Sequence, residues 1–215
     1  MSLRIAVMIS GAGSNLLAID DACRDGRVAG AVVGVLADRP DAAGLTRAES
    51  RGLLTRALPI EAGETRAAHD ARILLALEAL QPDVVVLAGY MRILSSDVVI
   101  ALRGRLLNIH PSLLPRHKGL HTHRRVLEAA EREHGATVHY VTPDLDGGPA
   151  VLQARIAVRS SDDADSLARR VQRCEHVIYP TVLHWVASGR LQCPAGVPML
   201  DGVPLLQPIV QDFDV

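Results

Sequence analysis

The chain has 215 residues, which suits one domain or two small subdomains sharing a core. Lys+Arg number 23 against 24 Asp+Glu, a net charge of −1, and aromatics make up only 2%, so neither a basic nucleic-acid surface nor a base-stacking platform is encoded. The 48% hydrophobic and 22% charged content excludes global disorder, and the odd set Cys23, Cys174 and Cys193, without a CxxC pair, speaks for a reducing compartment rather than a disulfide framework.

From the N-terminus, residues 3–9 form a short apolar run, the pattern of a strand buried on both faces. This run is too short for a signal peptide, and no stretch reaches the ~20 apolar residues of a membrane span. A cytoplasmic chain without membrane or nucleic-acid partners is therefore expected. A helix is predicted over residues 14–24, a buried strand over 31–37, a short helix over 42–50 and a weaker strand over 53–58. Ile73, Leu74, Leu77 and Leu80 recur at helical spacing within residues 64–80. Residues 83–88 are the clearest strand. Alternation of this kind implies right-handed crossovers, and so a Rossmann-like α/β fold with a mostly parallel twisted sheet and helices on both faces.

Further along, a strand over residues 105–109 leads into His110-Pro111-Ser112-Leu113-Leu114-Pro115. A helix is predicted over 121–133, strands over 136–141 and 150–158, and a long helix capped by Asp162 or Asp163 and running to about residue 187. The proline-containing tail predicts a small hairpin and an extended arm. One domain over 1–215 is expected, in two halves at 1–104 and 105–215.

Three segments carry chemistry. Ser10-Gly11-Ala12-Gly13-Ser14-Asn15 lies between a buried strand and a helix, where glycines admit an anion to free N–H groups at a positive helix end. Leu16 stands where a dinucleotide fingerprint has its third glycine, so a phosphate-sized anion fits better than a nicotinamide dinucleotide, although Asp38 occupies the place of a ribose-binding acid. Asn108-Ile109-His110 ends a strand with both polar side chains on one side, a donor for an oxyanion beside a proton carrier. Asp146, on the turn Leu145-Asp146-Gly147-Gly148, offers a carboxylate to His110. His110, His117, His121 and His123 fall close together but lack zinc-ligand spacing, so no metal is expected. Cys174 reads as packing. A nicotinamide oxidoreductase or a non-catalytic nucleotide-binding module is the rival class, and it must treat Asn108, His110 and Asp146 as structural.

Taken together, Ser10–Asn15, Ala88-Gly89-Tyr90-Met91-Arg92-Ile93-Leu94, Leu107–Pro115, Leu145–Pro149 and Gln172-x-x-Glu175-His176-x-Ile178-Tyr179-Pro180 resemble the phosphoribosylglycinamide formyltransferases, folate-dependent enzymes, in order and over nearly the whole chain. The resemblance implies transfer of formyl from 10-formyltetrahydrofolate, a co-substrate, to the amine of glycinamide ribonucleotide in purine biosynthesis, by a monomer or homodimer without a metal. It implies that Gly13, Ser14 and Asn15 hold the phosphate, Gln172 and Glu175 the ribose, and that Asn108, His110 and Asp146 are catalytic. Folate would lie along Met91, Arg92, Ile93 and Leu94 and against Thr142, Pro143, Asp144 and Leu145, with Arg66 at its glutamate tail. Pro143 departs from an acidic residue frequent in this family and removes an amide donor. Tyr90 replaces the more usual Phe. Transfer-RNA formyltransferases and formyl-folate hydrolases would be expected to carry an additional domain. Residues 112–133 are expected to begin with a loop that orders over substrate.

Overall fold

The computed structural model describes residues 2–215. The elements run β1 (Leu3–Ile9), α1 (Ser14–Arg24), β2 (Gly30–Ala37), α2 (Ala43–Ser50), β3 (Thr55–Ala57), α3 (Arg66–Leu80), β4 (Val84–Leu87), α4 (Ser96–Ala101) and β5 (Leu106–His110). They continue with α5 (Thr122–Glu128), β6 (Glu133–Tyr140), β7 (Ala150–Ala157), α6 (Ala164–Ala187), β8 (Leu191–Gln192), β9 (Met199–Leu200), β10 (Val203–Pro204) and β11 (Ile209–Asp212).

Eight strands form one sheet in the order β11-β7-β6-β5-β4-β1-β2-β3. All neighbours are parallel except β6, which runs antiparallel to both β5 and β7. The apolar runs of β1 and β4 are buried on both faces because helices cover both. On one side α1, α2 and α6 pack Ile19, Leu45, Val171 and Ile178 against Ile5, Val7 and Val86. On the other, α3 and α4 pack Ile73, Leu77, Val98 and Leu102 against Met8, Val85 and Leu106. The crossovers change side between β1 and β4, which places the ligand crevice of an open α/β sheet at their carboxyl ends.

Asp163 provides the N-cap of α6: its carboxylate accepts from Ser166 N at 2.7 Å and Ser166 Oγ accepts from Asp163 N at 2.9 Å. Asp162 instead pairs with the buried Arg170.

One expectation is corrected, and two further elements stand beside it. The helix predicted over 121–133 ends at Glu128, Ala130 turns at φ 50°, and Glu133 already opens β6. The Arg, Glu and Ala that favour a helix there are overruled by the pairing of β6 with β7 from Glu133 onward, a strand that buries His134, Ala136 and Val138. Helix α4 was not predicted, although Ser95 caps it, its Oγ accepting from Val98 N at 3.3 Å. In the tail β8, β9 and β10 form a small antiparallel sheet, and the extended arm becomes β11, the edge strand beside β7.

Candidate active site

The turn leaving β1 is shaped by two opposed glycines. Gly13 sits at φ 73°, and a Cβ there would lie 3.0 Å from the Cα of Gly44 in α2. Gly44 N donates to Gly11 O at 2.9 Å, so the turn rests on α2. Ser10 ties it to the segment after β4: Ser10 N donates to Gly89 O at 3.1 Å, and Met91 N donates to Ser10 Oγ at 2.8 Å. Helix α6 reaches the same turn. Gln172 Nε2 donates to Ser14 Oγ at 3.1 Å, and Asn15 Nδ2 donates to Glu175 Oε2 at 2.8 Å. Burial pushes the Glu175 carboxyl up, and the Asn15 bond partly offsets this. Asn15 Oδ1 is buried without a partner among the described residues. All five residues expected at the ribonucleotide are thus brought together.

Asn108, His110 and Asp146 also meet. His110 is buried, with Nδ1 3.5 Å from Asp146 Oδ2 and Nε2 3.0 Å from the carbonyl of His117. A carbonyl only accepts, so Nε2 carries a proton, and the second nitrogen faces the carboxylate. Asp146 does not arrive as an ordinary strand end. Because β6 is antiparallel it exits near Leu107, the far end of the β5 pairing, and the β6–β7 connection folds back toward His110. Asp146 adopts φ 46° there, and its Oδ2 accepts from Gly119 N at 2.8 Å.

A fourth residue, His139, completes the group and was missed in the sequence. It pairs with Asn108 in the β5–β6 register, and its Nε2 lies 3.0 Å from Asn108 Nδ2 and 3.9 Å from Asp146 Oδ1. Burial pushes its imidazole down to about 4, so it is neutral near pH 7. Nδ1 must then donate to Tyr140 O, 2.9 Å away, leaving the Nε2 lone pair to accept from Asn108. That bond fixes which end of the Asn108 amide is the donor and leaves its second N–H for a ligand. The available signal was alternation in β6, which puts His139 on the same side as Thr137, but the partner depends on a register that only pairing reveals.

The residues expected at folate include large apolar side chains from both segments. Met91, Ile93 and Leu145 are 68%, 67% and 54% exposed, large apolar side chains left without cover. Leu94 packs on the α3–α4 core, and Arg66 Nη2 donates to Ile93 O at 3.1 Å. Arg92, Pro143 and Asp144 are exposed, and Thr142 is half-buried beside them.

The run after His110 is held from beneath. Thr137 Oγ1 donates to Ser112 O at 2.6 Å and accepts from Leu114 N at 3.1 Å, while Gln153 Nε2 donates to Leu114 O at 2.7 Å. Beyond it the loop hangs on polar contacts: His117 Nε2 is 2.6 Å from Glu131 Oε1, and Arg125 Nη1 donates to Lys118 O at 2.7 Å. His123 pairs with His134 at 2.9 Å, and among the described residues no group of three or more His, Cys, Asp or Glu could hold a metal ion. Cys174 is fully buried and its thiol is pushed up to about 11, which suits packing rather than nucleophilic attack.

A family model described as formyl transferase matches residues 3–183. The phosphoribosylglycinamide formyltransferase of Escherichia coli (strain K12) is 50% identical over 200 residues, covering 93% of this chain and 94% of that protein. The trifunctional purine biosynthetic protein adenosine-3 of Homo sapiens is 42% identical over 189 residues, 88% of this chain and 19% of that longer protein. The solved structure of the phosphoribosylglycinamide formyltransferase from Coxiella burnetii superposes with a TM-score of 0.93 at 43% identity, covering 98% of this chain and 99% of the other.

Proposed function

The chain belongs to the phosphoribosylglycinamide formyltransferases, and on that premise we propose that Asn108, His110 and Asp146 carry formyl transfer between a ribonucleotide held at residues 13–15 and a folate held between residues 91–94 and 142–145. The enzyme moves a formyl group to glycinamide ribonucleotide, a step of purine biosynthesis, and the family takes that group from a formylated folate. The observation that carries the site reading is the convergence of Asn108, His110 and Asp146 between the glycine turn and the uncovered apolar residues.

Phosphate fits the amides at the start of α1, where the helix end is positive. Glu175 and Gln172, already facing that turn, offer a carboxylate and an amide to ribose hydroxyls. A dinucleotide reading loses ground at Leu16, which is fully buried and fills the space a third glycine would leave. Met91, Ile93 and Leu145 suit a flat pterin, and Arg66 and Arg92 suit carboxylates beyond it. The folate groove therefore takes a wall from each half of the chain.

The substrate amine attacks the formyl carbon, a C–N bond forms, and the carbonyl electron pair moves to oxygen. The free N–H of Asn108 and the Nε2–H of His110 are the donors for that oxyanion, each worth about 3 kcal/mol of barrier by comparison with oxyanion-hole donors. The developing charge competes with the His117 carbonyl for the Nε2 proton, which links the loop to the chemistry. Asp146 accepts the proton that the attacking amine loses. Collapse breaks the bond to the folate nitrogen, which takes that proton. Formyl glycinamide ribonucleotide and tetrahydrofolate result.

Mixing the protein with 10-formyltetrahydrofolate should change the folate absorbance only when glycinamide ribonucleotide is added. Equal deformylation without the ribonucleotide would mean hydrolysis to water instead.

A further inference from the structure

Helix α6 does more than cover the sheet. Gln172, Glu175 and Tyr179 are spaced by three and four residues and so share one face. The first two touch Ser14 and Asn15 of the ribonucleotide turn. The third reaches the catalytic strand. Tyr179 is fully buried, and its hydroxyl lies 3.1 Å from both Leu87 O of β4 and Leu107 O of β5, one proton shared between two acceptors. Leu87 and Asn108 form the last pair of the β4–β5 ladder, so this bridge sits where the two strands part to form the crevice. The Leu107 carbonyl belongs to the same rigid peptide plane as the Asn108 nitrogen. Its orientation therefore sets the direction in which Asn108 leaves the strand.

We propose that Tyr179 is a positioning residue for Asn108: its hydroxyl, bridging Leu87 O and Leu107 O, fixes the catalytic amide at a set distance from the ribonucleotide turn that the same helix face holds through Gln172 and Glu175. The inference rests on the reading of Asn108 as an oxyanion donor. Residues 172 and 179 lie seven apart, a rise on the order of 10 Å at 1.5 Å per residue. That is the scale over which a phosphoribosyl unit and a glycyl amide must extend from phosphate to amine. A tilt of about 10° in the Leu107–Asn108 peptide moves a group ~4–5 Å away by roughly 0.8 Å, the order of misplacement that slows a positioned reaction severely. Burial pushes the Tyr179 phenol up, which favours the protonated form that donates.

Tyr179→Phe keeps the ring and removes the bridge. Its kcat should fall about tenfold, with KM for the ribonucleotide and Kd for the folate within about twofold of the parent. In an Asn108→Ala background the same substitution should change kcat by less than about twofold, because residues acting through one group are not additive. Replacing Tyr179 by 4-aminophenylalanine restores an N–H donor at that point and should return kcat to within about threefold of the parent. A parental kcat in Tyr179→Phe, or a loss that multiplies in full on top of Asn108→Ala, overturns the proposal. If Asn108→Ala alone left kcat unchanged, the reading of Asn108 itself would fail. A slow Asn108→Ala beside a fast Tyr179→Phe would remove the positioning role alone.

Discussion

Asn15 and Glu175 form a buried pair in which the amide donates and the carboxylate, raised by burial, accepts. Asn15→Ala leaves Glu175 with its desolvation and without its donor. The expected cost is about 1–3 kcal/mol of stability, read by urea unfolding, together with a ribonucleotide KM raised roughly tenfold and an unchanged folate Kd. Unchanged stability would mean that Glu175 does not depend on this bond. Gly13 is constrained differently. With φ at 73° and Gly44 Cα 3.0 Å from any Cβ, Gly13→Ala meets both backbone strain and contact with α2. It should cost about 1–2 kcal/mol and weaken the ribonucleotide rather than the folate. Calorimetry with each ligand checks this, and equal weakening of both would place the fault in the fold rather than in the anion seat.

Between elements, the loop joining β5 to α5 is secured by polar contacts to His110, Asp146 and Glu131, the last of which meets both His117 and Arg116. His117 holds the Glu131 carboxyl below its usual range. Glu131→Gln removes that charge, and amide hydrogen exchange over residues 116–121 should quicken in the variant and slow in the parent when both ligands are added. Equal protection in all three samples would deny the loop its role. The same region shows what the sequence could disclose. That Asn108, His110 and Asp146 would meet was legible because glycine turns and strand ends mark the crevice locally. His139 was not, since its partner across β5 depends on an antiparallel register encoded nowhere near it. The stretch 129–133 misled through its Arg, Glu and Ala, good helix formers that here make a turn, with Ala130 at φ 50°, leading into β6 at Glu133. Strand β11 escaped notice because pairing with β7 is set by the sheet edge and not by its own four residues.

For the whole molecule, two buried histidines make stability depend on acid. His139 is pushed down to about 4 and His134 to about 3, both by burial. Unfolded, each binds a proton below about pH 6.5, so the unfolded state holds more protons and stability is lost as pH falls from there toward the folded values. Each contributes up to ~1.4 kcal/mol per pH unit. Glu175, raised in the fold, acts with the opposite sign as its carboxyl protonates. Unfolding free energies measured between pH 7 and 4.5 should therefore drop steeply, and His134→Gln should flatten the slope by about half. A flat profile in the parent would mean that these rings are charged in the fold. In the proposed mechanism, transfer depends instead on how one sheet gathers the glycine turn, the β5 pair and the folded-back Asp146, and Asp146→Asn addresses that arrangement most directly. Asparagine tolerates the left-handed backbone at 146 and still accepts from Gly119 N, so shape survives and charge is lost. In single-turnover formyl transfer with both substrates bound, the rate should fall by at least about a hundredfold while calorimetric affinities for ribonucleotide and folate stay within about threefold. A parental transfer rate in that variant, or a loss explained wholly by weaker binding, would contradict the account.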